Sequence, residues 1–184
     1  MEPTRAGACL GSRIGPTSGL HHKVTAMRPT LLLAALLTLA ATPVLAQDLK
    51  VTVAGRDSVV LNPADLKALP RAKATFTAHG KLITYEGAVL NAALKQAGVV
   101  SGDRLMGRYL NQVVVAKGAD GFTASYSLGE TDPIYRANPV IIADSKDGQP
   151  LDAKEGPYRL VVDGDLRPGR SVRALVSVDV KPVP

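Results

Sequence analysis

The residues in this sequence whose types could do chemistry lie beside glycine turns. His79, in Ala78-His79-Gly80, is the only histidine after position 22. At a break in an extended run, such a side chain is either an exposed turn residue or a ligand or proton donor in a pocket. Arg159 sits between Tyr158 and the apolar run Leu160 to Val162. Its stem belongs against a sheet, and its head serves either an ion pair with a loop aspartate or a guanidinium fork for phosphate or carboxylate. Asp120 lies in the turn Gly118-Ala119-Asp120-Gly121, and Tyr126 follows on the returning strand. A rigid hairpin tip of this kind presents polar groups to a ligand.

Other chemistries are excluded. The single cysteine, Cys9, falls in a leader-like segment, and the rest of the chain carries no CxxC, HExxH, GxGxxG, P-loop or GxSxG. One histidine without cysteine does not make a zinc site, so no metal ligand set is expected. Asp144, Asp147, Asp152 and Glu155 crowd one stretch, but their spacing does not match a calcium loop and they read as a solvated turn.

The chain that positions these residues begins late. Met27-Arg28-Pro29-Thr30 is a short basic stretch, Leu31 to Ala41 is apolar, and Val44-Leu45-Ala46 has the small residues of a signal-peptidase site. The expectation is a signal peptide over 27–46, cleavage before Gln47, and a periplasmic or secreted protein. The apolar run is too short to span a bilayer, which takes about 20 residues. Residues 1–26 have no periodic pattern and read as an upstream over-extension of the start or a disordered tail. Removing 46 of 184 residues leaves 138, the length of one domain over 47–184. That segment keeps 18 basic and 15 acidic residues, for a net charge of +3 with the signs interspersed. No Lys/Arg block supports nucleic-acid binding, whereas a small anionic ligand suits the balance.

Periodicity assigns many short strands and two helices. Leu49 to Ala54 and Ser58 to Leu61 form a hairpin; Asn62-Pro63-Ala64-Asp65 starts a short helix that Pro70 ends. Ala72 to Ala78 and Leu82 to Tyr85 are strands. Gly87 to Gly98 has Val89, Leu90, Ala93, Leu94 and Ala97 at helical spacing. Gln112 to Thr131 holds two extended runs around the Gly118–Gly121 turn, then a single helical turn. Val140 to Ala143, Leu160 to Val162 and an alternating run from Val172 to Val180 complete the strands. In that last run Leu175 is out of phase. The class is α+β, sheet-dominated.

Taken in order, three segments resemble the sulfite-oxidase-like molybdopterin-binding domain family. Tyr85-Glu86-Gly87-Ala88-Val89-Leu90, continuing to Gln96-Ala97-Gly98-Val99, is similar to that family's aromatic-x-Gly-Val-x-Leu segment. Ala119-Asp120-Gly121-Phe122 with Ser127-Leu128 is similar to its Asp-Gly hairpin. Asp147-Gly148-Gln149-Pro150-Leu151 and Gly156-Pro157-Tyr158-Arg159-Leu160 resemble its Asp-Gly-x-Pro-Leu and Gly-Pro-x-Arg-Leu pair, and the closing Arg170-Ser171-Val172-Arg173 fits. The resemblance implies a mixed fold with a β-grasp-like part and two short helices. It also implies a molybdopterin cofactor bearing a phosphate.

Catalytic members of the family bind molybdenum through a cysteine in the strand-loop before the Gly-Val-x-Leu segment. The corresponding window here, Thr75 to Gly80, has none. The resemblance therefore implies cofactor binding through His79, Asp120, Tyr126 and Arg159, with thiolate-dependent redox catalysis in question. Two alternatives stand beside it: an active molybdopterin-dependent oxidoreductase with a non-cysteine metal environment, working with a periplasmic redox partner, and a non-catalytic interaction domain.

Overall fold

The computed structural model describes residues 47–78 and 80–183. Within them the chain opens with β1 (Leu49–Val53) and β2 (Val59–Leu61), an antiparallel pair. Helix α1 (Pro63–Ala68) starts on a full capping box. Asn62 Oδ1 accepts from the amides of Ala64 and Asp65, and Asp65 Oδ2 accepts from the Asn62 amide. There follow β3 (Arg71–Ala78), β4 (Lys81–Val89), α2 (Leu90–Gln96), β5 (Gln112–Gly118), β6 (Thr123–Ser127), β7 (Val140–Lys146), β8 (Gln149–Pro150), β9 (Arg159–Val162) and β10 (Leu175–Pro182).

The strands make two sheets of five. One has the order β2-β1-β10-β5-β6, with β1 and β10 parallel at its centre. The other runs β3-β4-β7-β8, and β9 also pairs with β7. With two α-helices, the protein is a sheet-dominated α+β fold. The main core takes Leu49, Val51, Val114, Tyr126, Val178 and Val180 from the first sheet. Ala88, Val140, Ile142, Leu160 and Val162 come from the second, and Leu66, Leu90, Ala93 and Leu94 from the helices. A smaller cluster (Ala74, Phe76, Tyr85, Ile141, Ala143 and Val161) covers the opposite side of the second sheet. β7 feeds both, Val140 and Ile142 to one side and Ile141 and Ala143 to the other, which is why it reads as an unbroken apolar run.

Several boundaries differ from the sequence expectation. The helix expected from Gly87 begins at Leu90, and Gly87-Ala88-Val89 extend β4. The cause is Gly87, which sits at a register shift opposite β7. A Cβ there would lie 2.0 Å from the Ile142 carbonyl oxygen and 2.4 Å from Ala143 Cα. Likewise Asp144-Ser145-Lys146, expected as turn, continue β7, because Ser145 and Lys146 pair with β8 and β4. The last strand starts at Leu175, after Ala174 takes a φ of 43°. A bulge between Leu175 and Ser177 shifts the phase, so Leu175 shares the core with Val178 and Val180. Among the described residues no helix is long and apolar enough to cross a membrane.

Candidate functional site

A cleft of about 580 Å³ opens over the smaller cluster. Its floor is aromatic: Phe76 of β3 and Tyr85 of β4 stack with centroids 5.3 Å apart. Ala78 and Ile83 extend that wall. The tip of the β5–β6 hairpin supplies Asp120 and Phe122 from the other sheet, while Lys146 ends β7. Glu155 precedes β9 and Arg159 starts it, and the segment before β10 adds Ser171 and Arg173. Both sheets and three loops thus contribute to one concavity.

The hairpin tip is held there by backbone. Ala119 N donates to the Ala174 carbonyl at 2.9 Å. Gly118 makes the approach possible, since a Cβ on it would stand 2.6 Å from the Arg173 carbonyl oxygen. Asp120 Oδ1 accepts from the Phe122 amide at 2.9 Å, closing the turn.

Beneath the cleft lies one charged network. Arg159, 5% exposed, donates from Nε to Ser171 Oγ at 2.7 Å and from Nη1 to Tyr85 OH at 2.8 Å. The same Nη1 is 3.0 Å from Glu155 Oε2. Tyr85 OH donates to Glu155 Oε2 at 3.0 Å, and Lys146 Nζ donates to Glu155 Oε1 at 2.9 Å. The guanidinium of Arg159 and the ammonium of Lys146 lie 5.0 and 5.9 Å from the Tyr85 ring centre. Burial alone would raise the Glu155 carboxyl, but the Lys146 hydrogen bond, the Arg159 charge and the Tyr85 hydroxyl together hold it below the ordinary carboxylate value. Burial pushes the Tyr85 hydroxyl up, against the pull of Arg159. The hydrogen bond to Glu155 raises Lys146.

Two of the residues singled out from the sequence, Asp120 and Arg159, meet in this cleft. Arg159 does pair with a carboxylate, but with Glu155 rather than an aspartate. Tyr126 is a core residue and does not line the cleft. Its hydroxyl donates to the Arg170 carbonyl, its ring lies under the Arg170 guanidinium, and burial raises its hydroxyl strongly. His79 lies outside the described residues. The acidic stretch is not uniformly solvated. Asp144 pairs with Arg71 through both oxygens, at 2.9 and 2.7 Å, Asp147 Oδ1 accepts from the Thr84 amide, and Glu155 turns inward.

Sequence reasoning missed Tyr85, Lys146, Glu155 and Arg173 as cleft residues. Tyr85 and Arg173 stood inside the resembling segments without being singled out, and nothing local marked Lys146 or Glu155, since Glu155 lies in a turn and Arg159 in a strand. Among the described residues, no three His, Cys, Asp or Glu side chains group as metal ligands.

No protein-family model matches the sequence, and no curated protein does. The chain is similar in fold to a solved structure. That structure is the sulfane dehydrogenase SoxCD from Paracoccus pantotrophus, with a TM-score of 0.54 and 20% identity. The match covers 74% of this chain and 39% of that one, so this chain corresponds to well under half of that chain's length. At this identity the likeness is one of fold. It agrees with the α+β class expected from the sequence.

Proposed function

We propose that this cleft binds an anionic small ligand, a molybdopterin-type pterin cofactor being the candidate, in an exported protein. The observation that carries the reading is the cleft's own lining: three cations (Lys146, Arg159, Arg173) against two carboxylates (Asp120, Glu155), over an aromatic floor. The volume suits a drug-sized or cofactor-sized molecule. The fold likeness and the three sequence segments support the same reading.

The donor set fits part of such a cofactor and not another. Nitrogen donors suit a phosphate; Arg173, exposed and in no ion pair among the described residues, and Lys146 would hold it. Among the described lining residues none offers sulfur, the soft donor that suits thiolate-ligated metal. A bound pterin of this type supplies redox chemistry through the metal it carries. This chain contributes binding and orientation. Arg159 is fixed by three partners and so presents a rigid cationic wall. The Phe76 and Tyr85 rings exclude water below it, and Asp120 with Phe122 borders the mouth.

The test is the composition of the purified protein. The full chain is expressed in a molybdenum-replete host, then assayed for metal by mass spectrometry and for pterin by fluorescence. Pterin without stoichiometric metal supports the reading, and Arg173→Glu then lowers the load. Pterin and metal in equal amounts would favour the alternative of an active molybdopterin-dependent oxidoreductase with a non-cysteine metal environment. Neither, across several hosts, ends the cofactor reading.

A further inference from the structure

A second concavity, of about 640 Å³, shares no residue with the first. Adjacent residues divide between the two: Lys146 and Arg159 line the first cleft, Ser145 and Tyr158 this one. Successive side chains of extended backbone point to opposite faces, which separates them. Three prolines wall the second cleft: Pro63 at the start of α1, Pro150 at the end of β8, and Pro157. A proline has no N–H, so these walls present hydrocarbon and no donor.

Tyr158 is the polar group of the inner wall. It is 6% exposed, and its ring belongs to the main core. The hydroxyls of Tyr85, Tyr126 and Tyr135 each donate to an oxygen, and that of Tyr109 accepts from Arg108. The Tyr158 hydroxyl has no partner among the described residues, where no side-chain oxygen or nitrogen is both fully buried and unpaired. The hydroxyl is therefore the part of Tyr158 that reaches the cleft. Burial, then the charges of Asp144 and Asp48, raise it, so it stays an O–H at neutral pH and lacks an acceptor. The charges around it balance. Arg71 and Asp144 hold each other through two hydrogen bonds, and exposed Lys67 is offset by Asp48. Glu86, which acts on Arg71, is paired with Lys73 at 2.8 Å.

We propose that this cleft is a second binding site, for an uncharged flat molecule bearing a carbonyl oxygen, its ring against the prolines and its oxygen on the Tyr158 hydroxyl. A mostly apolar concavity of this size with one convergent donor is the form of a small-molecule site. An anion would meet Asp144 and Asp48 beside the hydroxyl, and a cation would meet Lys67. A carbonyl oxygen supplies the acceptor that the buried tyrosine lacks and brings no charge to desolvate. The site is independent of the anion reading of the first cleft, since no residue serves both.

The probe is acetophenone, titrated into the nitrogen-15-labelled full chain and followed by amide shifts. Saturable shifts are expected at Ser145, Gly148 and Gln149, with Phe122 and Ser171 of the first cleft unmoved. Tyr158→Phe removes one oxygen that no described residue uses, so its urea midpoint should stay at the wild-type value while affinity for acetophenone falls about 3-fold or more. Benzoate and benzylammonium should each bind about 10-fold more weakly than acetophenone. Shifts confined to the first cleft overturn the proposal, as does an undiminished affinity in Tyr158→Phe. Equal binding of either charged probe overturns it in favour of an ionic ligand. A lower urea midpoint for Tyr158→Phe overturns it too, by giving the hydroxyl a partner inside the protein. No saturable shift up to about 20 mM acetophenone ends it.

Discussion

Glu155 Oε2 lies 3.0 Å from Arg159 Nη1, with both side chains largely out of water. Removing one member of such a pair leaves the other charge buried without compensation. Glu155→Ala should therefore cost about 3 kcal/mol, while Glu155→Gln, which keeps an acceptor for Tyr85 and Arg159, should cost about half that. Urea titration of the three proteins gives the values. A loss under about 1 kcal/mol for the alanine variant would show that the cleft relaxes or that water replaces the carboxylate.

The same carboxylate sets an acid limit, together with Asp132. Asp132 is 1% exposed and accepts four hydrogen bonds: from Asn91 Nδ2 at 3.0 Å, Ser101 Oγ at 2.7 Å, and the amides of Gly102 and Ile134 at 3.0 Å each. Burial would raise it, but those donors outweigh burial and hold it low. Both groups are thus depressed in the folded state, so the unfolded chain binds more protons as pH falls. Their stabilisation is present in full above the ordinary values of 4.5 for Glu155 and 3.8 for Asp132, and is lost as pH falls through the lower native values. Urea midpoints should be flat from about pH 7 to 5 in this respect and fall below about 4.5. In Glu155→Gln the fall should start lower, near the aspartate range. A midpoint that rises on acidification would contradict both assignments.

What the sequence made legible follows from local physics. The Asn62 capping box, the β5–β6 hairpin and the Gly98 stop with φ of 79° all depend on neighbours a few residues away. What it hid depends on distant neighbours. Gly87-Ala88-Val89 fit a helical period, yet β7 recruits them as strand, and Leu175 looked out of phase because a bulge is invisible to strict alternation. At the site, Asp120 and Arg159 stood out by motif. Glu155 resembled any loop acid until Lys146, 9 residues earlier, and Tyr85, 70 earlier, met it. Tyr126 had the right neighbours in sequence, but its strand phase points it into the core rather than the cleft.

Gly87 supplies a sharper test of packing than any cleft residue. Its missing Cβ would meet the Ile142 carbonyl oxygen at 2.0 Å and Ala143 Cα at 2.4 Å, both backbone atoms of the paired strand β7. Relief requires shifting β4 against β7, since no flexible side chain can swing aside. Gly87→Ala should lose about 3 kcal/mol or more, far beyond the small backbone-entropy gain that alanine brings. A melting temperature within about 2 °C of wild type would mean that the bulge is free to open.

Ala78 lines the cleft at the end of β3, inside the window where the resemblance places a metal-binding cysteine. Ala78→Cys adds a small group at a half-buried position, so the fold should tolerate it with a loss under about 1 kcal/mol. Cys9 is the only other cysteine, so reaction with a thiol reagent reports how accessible the new side chain is. Lys146 and Arg159 line the same cleft and favour a thiolate over a thiol there. If the cleft holds a molybdopterin-type cofactor, the variant should retain more molybdenum per chain than the wild type after expression in a molybdenum-replete host. The added thiol should also lose reactivity in the loaded fraction. A variant that is folded and thiol-reactive, yet matches the wild type in metal content with no pterin in either, would leave the cleft to some other anion.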